Sequence, residues 1–334
     1  LTKEVEVLKE ALPFYGRITN GHGTGGDFVM EAEWHYNYGD MESAEIISHK
    51  ALYLANKYRQ GEIMICAAFL QLRIALYKGD YSYILYTLNR LRQEMKQQKW
   101  YNLIHTIDLC ETFIYCALRR RDRVPEWIGN GDFDSSRLYF PAMAFFNIVY
   151  GRAMLINKEY YKLLGLEEYL MDMACAFPNL LAQIYSNIHI AAANQRVYRK
   201  EDAERALKKA LNLAMADKVY MPFVENCDYI EPVLQELQLQ YDYREHVLKI
   251  LELNSTYQSS LEKITKSYFT EKRPELAERE MEIAKLAAEG FSNKEIAERL
   301  YITQNTVKTL LKRVFEKLEI NSRTLLKQYL EDKV

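Results

Sequence analysis

At 334 residues with 49% hydrophobic content, the chain is long enough for about two domains with packed cores. Its 13 glycines and 7 prolines favour long helices joined by short turns over many strands. A formal net charge of −2 excludes a general polycation, so any nucleic-acid affinity must come from a local basic face. No apolar run reaches the ~20 residues of a membrane span, and no signal-peptide pattern is present. The five cysteines (Cys66, Cys110, Cys116, Cys175, Cys227) form no C-x-x-C pair. They read as buried small hydrophobes in a reducing cytoplasm, with no membrane partner. The first residue is Leu1 rather than Met, the expectation for a fragment of something longer.

Residues 1–14 read as a helix with Val5, Leu8, Ala11 and Leu12 along one side. Residues 20–27, NGHGTGGD, place Gly21, Gly23 and Gly26 at G-x-G-x-x-G spacing. A dinucleotide site needs a strand before such a loop, whereas a helical pattern precedes this one. A phosphate-binding loop would need Gly-Lys-Ser/Thr, so the stretch reads as a flexible loop. No cofactor is expected in this chain.

From residue 28 the informative signal is repetition. Gly39-Asp40, Gly79-Asp80, Arg121-Asp122, Asn157-Lys158 and Tyr198-Arg199 open similar segments at steps of 40, 42, 36 and 41 residues. A period of this size, with turn residues between amphipathic helices, predicts a helical solenoid in which stacked pairs share one core. Ala44 and Ala51 in the first repeat, and Ala203 and Ala210 in the fifth, allow close helix packing. The GD-x-x-x-A-x-x-x-x-x-x-A core resembles tetratricopeptide repeats, although Leu91 replaces the second Ala of the second repeat. The repeats are rich in Tyr, with 26 in the whole chain. Such rings suit a carbohydrate or other small ligand in a concave groove, or they fill core positions.

After residue 220 the pattern loosens. Pro222 and Pro232 mark helix starts or breaks, residues 243–268 read as one long helix, and TEKRP at 270–274 reads as a linker. The domain plan is therefore a helical-repeat domain over 1–269, a linker over 270–274, and a second domain over 275–334.

Residues 292–318 carry the functional signal. Ser292 and Glu295 form a capping box. Ile296, Ala297 and Leu300 share one face, and Thr303 is placed to cap a second helix. On that helix Val307, Leu310/Leu311, Val314 and Leu318 repeat on one side, and Asn305, Lys308, Thr309, Lys312 and Glu316 on the other. This is helix-turn-helix patterning. Between 303 and 327, six basic residues face two acidic ones, a local +4.

The run from Leu276, LAEREMEIAKLAAEGFSNKEIAERLYITQNTVKTLLKRVFEKLEINSR, resembles the DNA-binding domain of LuxR-type transcription regulators. Its L-x-x-R-E, G-x-S-N-K-E-I-A, T-V-K and K-L-x-I-x-S-R segments carry the likeness. The resemblance implies an all-α chain: a tetratricopeptide-like helical solenoid followed by a C-terminal four-helix LuxR-type helix-turn-helix domain. It also implies Lys308, Thr309 and Lys312 as base readers. Asn305 and Thr306 sit in the first turn, where a helix N-terminus favours phosphate. Lys294, Arg313 and Arg323 are candidate phosphate neutralisers. Leu310 departs from the His common in the family. Leu326 and Leu330 stand where Ala is usual in the last helix, through which the family pairs its subunits.

An array of this kind ahead of a LuxR-type domain resembles the large MalT-like regulators. ATP enters only if a longer parent carries their N-terminal ATPase domain. The function implied is transcription regulation on double-stranded promoter DNA, as a homodimer that works with RNA polymerase, with an effector or partner protein on the solenoid. The alternative is a helical-repeat interaction scaffold whose DNA-binding domain is inhibited or vestigial. The six histidines form no H-E-x-x-H pair and no G-x-S-x-G elbow occurs, so neither a metal site nor an enzyme is expected.

Overall fold

The computed structural model describes residues 2–18, 22–132, 138, 142–176, 179–269, 276–317, 323 and 326. Among these every regular element is helical and no strand occurs. The chain divides into two compact units, Leu1–Ser267 and Tyr268–Val334. The expected linker at 270–274 lies outside the described residues.

In the N-terminal unit, α1 (Thr2–Ile18) precedes α2 (Gly26–Tyr38), α3 (Met41–Lys57), α4 (Gly61–Lys78), α5 (Tyr81–Gln97) and α6 (Ile104–Ala117). A short α7 (Glu126–Asn130) is followed by α8 (Met143–Ile156), α9 (Tyr160–Gly165), α10 (Glu167–Ala176), α11 (Leu180–Arg196) and α12 (Lys200–Met215). Helices α4, α6, α8 and α11 are buried over most of their length, and each packs on the next to form an inner layer. Helices α3, α5 and α12 each bury a single stripe. On α12 this is Ala203, Ala206, Leu207, Ala210, Leu211 and Ala214, which lets it lie close against α11. Ala44 and Ala51 are fully buried on α3, and Leu91 is buried where the Ala pattern lapses.

The period is also written in the backbone. Gly39, Arg59, Gly79, Lys99 and Arg119 all have positive φ and fall twenty residues apart, one after each helix. The residue that follows each reaches back five positions: Asp40 N to His35 O, Gln60 N to Ala55 O, Asp80 N to Ala75 O, Trp100 N to Met95 O and Arg120 N to Tyr115 O, at 2.8–2.9 Å. These bonds satisfy carbonyls that a helix end leaves open. Lys158, Tyr198 and Lys218 continue the series. Two such steps make a unit of about forty residues, longer than the ~34 of a tetratricopeptide repeat. The third and fourth repeats are irregular, because α7 has five residues and the next outer helix is broken between α9 and α10.

Gly39 and Gly79 share a left-handed turn, but only Gly39 is held to glycine by tertiary packing. The 24-residue α15 (Tyr241–Ile264) runs past both turns. A Cβ on Gly39 would lie 2.8 Å from Leu253 Cδ1, and one on Gly79 would lie 3.5 Å from Ser260 Cβ. A π-helical turn, Thr265–Phe269, extends α15, close to the long helix expected at 243–268. The stretch read as a flexible loop is instead partly packed: Gly25, at φ +96°, would place a Cβ 3.1 Å from Ala51 O. Cys66 and Cys175 are solvent-accessible rather than buried, while Cys110, Cys116 and Cys227 are in the core.

The array closes on itself through α13 (Met221–Val224), α14 (Cys227–Leu237) and α15. Tyr220 N donates to Asn37 O at 2.7 Å, and Ser260 Oγ to Tyr77 O at 2.6 Å. Between α13 and α14, the buried Glu225 carboxylate accepts from Tyr36 Oη at 2.7 Å, from Arg73 Nε at 3.1 Å and from the Tyr185 hydroxyl. Its backbone carbonyl accepts from Arg152 at 3.1 Å. Pro222 opens α13 as expected, but Pro232 sits inside α14 rather than at a break. Having no N–H, it leaves the Asp228 carbonyl free, and Arg196 donates to that oxygen at 3.2 Å.

Gly39→Ala combines a left-handed backbone with a clash against α15. It is expected to cost the N-terminal unit about 1–3 kcal/mol in urea unfolding. Lys99→Ala, at a turn of the same hand, should stay within about 0.5 kcal/mol. Acid sensitivity is expected from two buried histidines. Burial, with help from Arg152, pushes His189 down to about 3, and burial pushes His246 down to about 4. Both lie below the ordinary imidazole value, so the unfolded chain takes up protons first. Stability should be unaffected above pH 7 and fall from about pH 6.5 downward, by about 2 kcal/mol per histidine at pH 5. An unfolding midpoint that does not move between pH 7 and pH 5 would contradict this.

Candidate nucleic-acid interface

The C-terminal unit is built on α16 (Glu278–Ala288), α17 (Asn293–Arg299) and α18 (Gln304–Lys317). Ile283, Ala284, Ala287, Ile296, Ala297, Val307, Leu311, Val314 and Leu326 form its core. Leu310 packs on the edge of this core, in place of a polar contact. The capping box at α17 is complete: Ser292 N donates to Glu295 Oε2 at 2.7 Å, and Glu295 N to Ser292 Oγ at 3.3 Å. Hydrogen bonding from the Ser292 backbone, then from its side chain, holds the Glu295 carboxyl below its usual range. At α18, Thr306 N donates to Thr303 Oγ1 at 3.2 Å, so Thr303 caps the helix. The turn between α17 and α18 passes through Tyr301 at φ 52°.

Several motif residues hold this arrangement together. Arg279 donates to Leu300 O at 2.9 Å, tying α16 to the turn. Ala277 N donates to Glu280 Oε2 at 2.9 Å, and Lys317 Nζ reaches the same oxygen at 2.6 Å. Hydrogen bonding from Lys317, then from the Ala277 backbone, holds the Glu280 carboxyl low. Arg299 stacks over the Phe291 ring at 3.8 Å. Arg323 donates to the Phe291 carbonyl and, at 2.6 Å, to Asn293 Oδ1.

On α18 the side opposite the core is open. Asn305, Lys308, Thr309 and Lys312 are all exposed and span about 100° of arc at ~100° per residue. Lys308 makes no ion pair among the described residues. Lys312 has only Glu316, at 3.7 Å and with both side chains well exposed, a contact that contributes little. The Thr309 hydroxyl donates to Asn305 O at 2.9 Å, leaving its methyl and oxygen lone pairs outward. The Thr306 hydroxyl is paired with Thr303 at 2.8 Å. Arg313 is exposed to one side of this face, and Lys294 is exposed in the first turn of α17.

Residues 274–330 match the bacterial regulatory proteins of the luxR family. The C-terminal unit holds a LuxR-type helix-turn-helix domain. The chain is 53% identical over 49 residues to the response regulator protein VraR of Staphylococcus aureus, of Staphylococcus saprophyticus and of Staphylococcus epidermidis. The match covers 15% of this chain and 23% of each relative, so only about a quarter of those proteins is shared. No solved structure matches. Among the described residues no helix is long and apolar enough to cross a membrane.

Seven of the eight residues singled out in the sequence, Lys294, Asn305, Thr306, Lys308, Thr309, Lys312 and Arg313, are exposed on α17 and α18. Thr306 is exposed but spends its hydroxyl on the cap, and Arg323 is engaged inside the LuxR-type domain. Lys317, counted in the local +4, is likewise committed to Glu280. Leu326 is fully buried in the domain's own core, and Leu330 and Leu318 lie outside the described residues. Apart from Arg323 and Leu326, so does the expected fourth helix. The sequence reading missed the Glu280–Lys317 pair, although both residues lie within the matched motif.

Ser292→Ala removes the cap acceptor of α17. It is expected to cost the LuxR-type domain about 1 kcal/mol in thermal unfolding. Ser292→Asp should restore most of that loss, and equal melting of all three forms would contradict the cap.

Proposed function

We propose that the protein is a sequence-specific DNA-binding transcription regulator whose N-terminal helical array senses an effector or a partner protein. The observation that carries the DNA-binding half is the outer face of α18, where Lys308, Thr309 and Lys312 stand exposed on a helix whose other side is locked into the domain core. Lysine there can donate to guanine O6/N7, and threonine can meet a base edge or a thymine methyl. Asn305, Thr306, Lys294 and Arg313 are assigned to phosphate, where the α18 N-terminus adds its dipole. Arg323, held on Phe291 and Asn293, is assigned to positioning α17 rather than to DNA.

The match to response regulators supports an output domain driven by a signal, and the helical array is the candidate for its input. Double-stranded promoter DNA is the target, bound as a homodimer in the cytoplasm, with RNA polymerase as the machinery acted on. Because Leu326 fills the domain core, a pairing surface on the last helix must use other side chains.

The test begins with genome-wide footprinting of the full chain to recover target fragments, followed by measurement of Kd on one of them. Lys308→Ala and Lys312→Ala should each weaken specific binding by about 1–3 kcal/mol and relax base preference. Lys294→Ala and Arg313→Ala should weaken all sequences alike and lower the salt slope by about 1 each. Unchanged specific binding in both Lys308→Ala and Lys312→Ala would overturn α18 as the recognition helix.

A further inference from the structure

Inside the N-terminal unit a cavity of about 330 Å³ opens between α2, α4, α6, α8 and the start of α11. That is within the range of small-molecule sites. Its floor is aromatic: Phe69 meets Phe113 edge-on with ring centroids 5.2 Å apart, and Phe145 at 4.8 Å. Met30, Ile65 and Ile148 complete the apolar wall. We propose that this cavity binds an organic cation with a bulky aromatic or aliphatic body, which deepens the effector-sensing reading above and rests on it.

The charges on the wall select the sign. Arg73 is the one cation there among the described residues, and its charge is already paired: Nη1 donates to Glu33 at 2.6 Å, Nε to Glu225 at 3.1 Å, and Nη2 to Tyr185 at 3.3 Å. Its guanidinium already lies 5.4 Å and 5.7 Å from the Phe69 and Phe113 rings, so these rings face positive charge in the unliganded fold. Glu62, exposed at the mouth, makes no ion pair among the described residues and leaves an acidic excess. An anionic ligand would meet Glu33 and Glu62 with no free cation to receive it.

A carbohydrate, the sequence-based alternative, fits this wall poorly. Tyr185 is the only tyrosine lining it among the described residues, and its hydroxyl is committed to Glu225. Among the described residues Thr106 Oγ1 is buried without a hydrogen-bond partner, and it can accept from an ammonium N–H. A cation over phenylalanine faces with a carboxylate at the mouth combines cation–π attraction with charge pairing.

The test uses the full chain and calorimetry with tetraphenylphosphonium, set against its near-isosteric anion tetraphenylborate. The cation should bind once per chain and at least tenfold tighter than the anion. Glu62→Gln should weaken it at least fivefold. Phe145→Trp, which fills the cavity, should abolish binding while far-UV circular dichroism and melting stay as in the parent. Equal affinity for both ions, no binding of the cation, or full binding by a folded Phe145→Trp variant would each overturn the proposal. Promoter affinity is then measured with and without the cation. Saturable binding that leaves promoter affinity unchanged would keep the cavity assignment and remove the effector reading. Absent cation binding, with promoter affinity intact, would remove the cavity assignment alone.

Discussion

The Glu225 carboxylate is the point on which the N-terminal unit depends, because it brings together side chains separated by up to 189 residues. A carboxylate taken out of water is costly unless it is paired and hydrogen-bonded. Here two phenols and a guanidinium supply the compensation, and Arg152 engages the carbonyl of the same residue. Burial, then the charge of Glu225, raises both Tyr36 and Tyr185 well above the ordinary phenol range, so they remain donors. Burial by itself would lower Arg73, but Glu33 and Glu225 outweigh it and hold the guanidinium above its ordinary value. Each partner sits on a different helix: Tyr36 on α2, Arg73 on α4, Arg152 on α8 and Tyr185 on α11. One turn residue therefore converts a row of stacked helices, which need only touch their neighbours, into a closed unit. Arg73 and Tyr185 also line the cavity, so whatever fills it presses on the same cluster.

In the C-terminal unit the division of labour runs the other way. Most of the residues that make the motif recognisable are spent inside the domain. Arg279 and Glu280 brace α16, Ser292 and Glu295 cap α17, Thr303 caps α18, and Arg323 locks the start of α17. After these are accounted for, Asn305, Lys308, Thr309 and Lys312 remain as exposed polar side chains on one face. A recognition face needs a helix that does not shift under it, and the capping and ion-pair contacts supply that rigidity.

What was legible in the sequence was what acts locally. Capping boxes span three residues, and the apolar stripe of α18 repeats every three to four, so both are visible in a short window. The Ala positions of α3 and α12 were readable for the same reason, because close helix packing leaves a periodic trace. The closure was not readable: nothing near Glu225 announces that Tyr36 and Arg73 will meet it. The glycines of Gly39 and Gly79 looked like repeat markers, yet the same left-handed turn is made by Arg59, Lys99 and Arg119. At Gly39 a Cβ would collide with Leu253 of α15, a fact of tertiary packing. Pro232 read as a break because its lost N–H is a local property, whereas the compensating donor, Arg196, comes from another helix. Arg323 read as a phosphate neutraliser, and Lys317 was counted in the local +4, because a charge count cannot tell a free cation from one already paired.

The near-neutral net charge conceals two opposite local surfaces, and this is where function is decided. On α18 positive charge is left unpaired on a convex face, and around the cavity negative charge is left in excess on a concave one. Arg73 and Lys308 show the difference. Both carry a full positive charge, but Arg73 has all its nitrogens committed to protein acceptors and therefore acts as structure. Among the described residues Lys308 makes no ion pair, which leaves it to act as a ligand-binding group. Reading function from this chain thus requires asking of each charge what it is already bonded to, since composition counts the two residues alike.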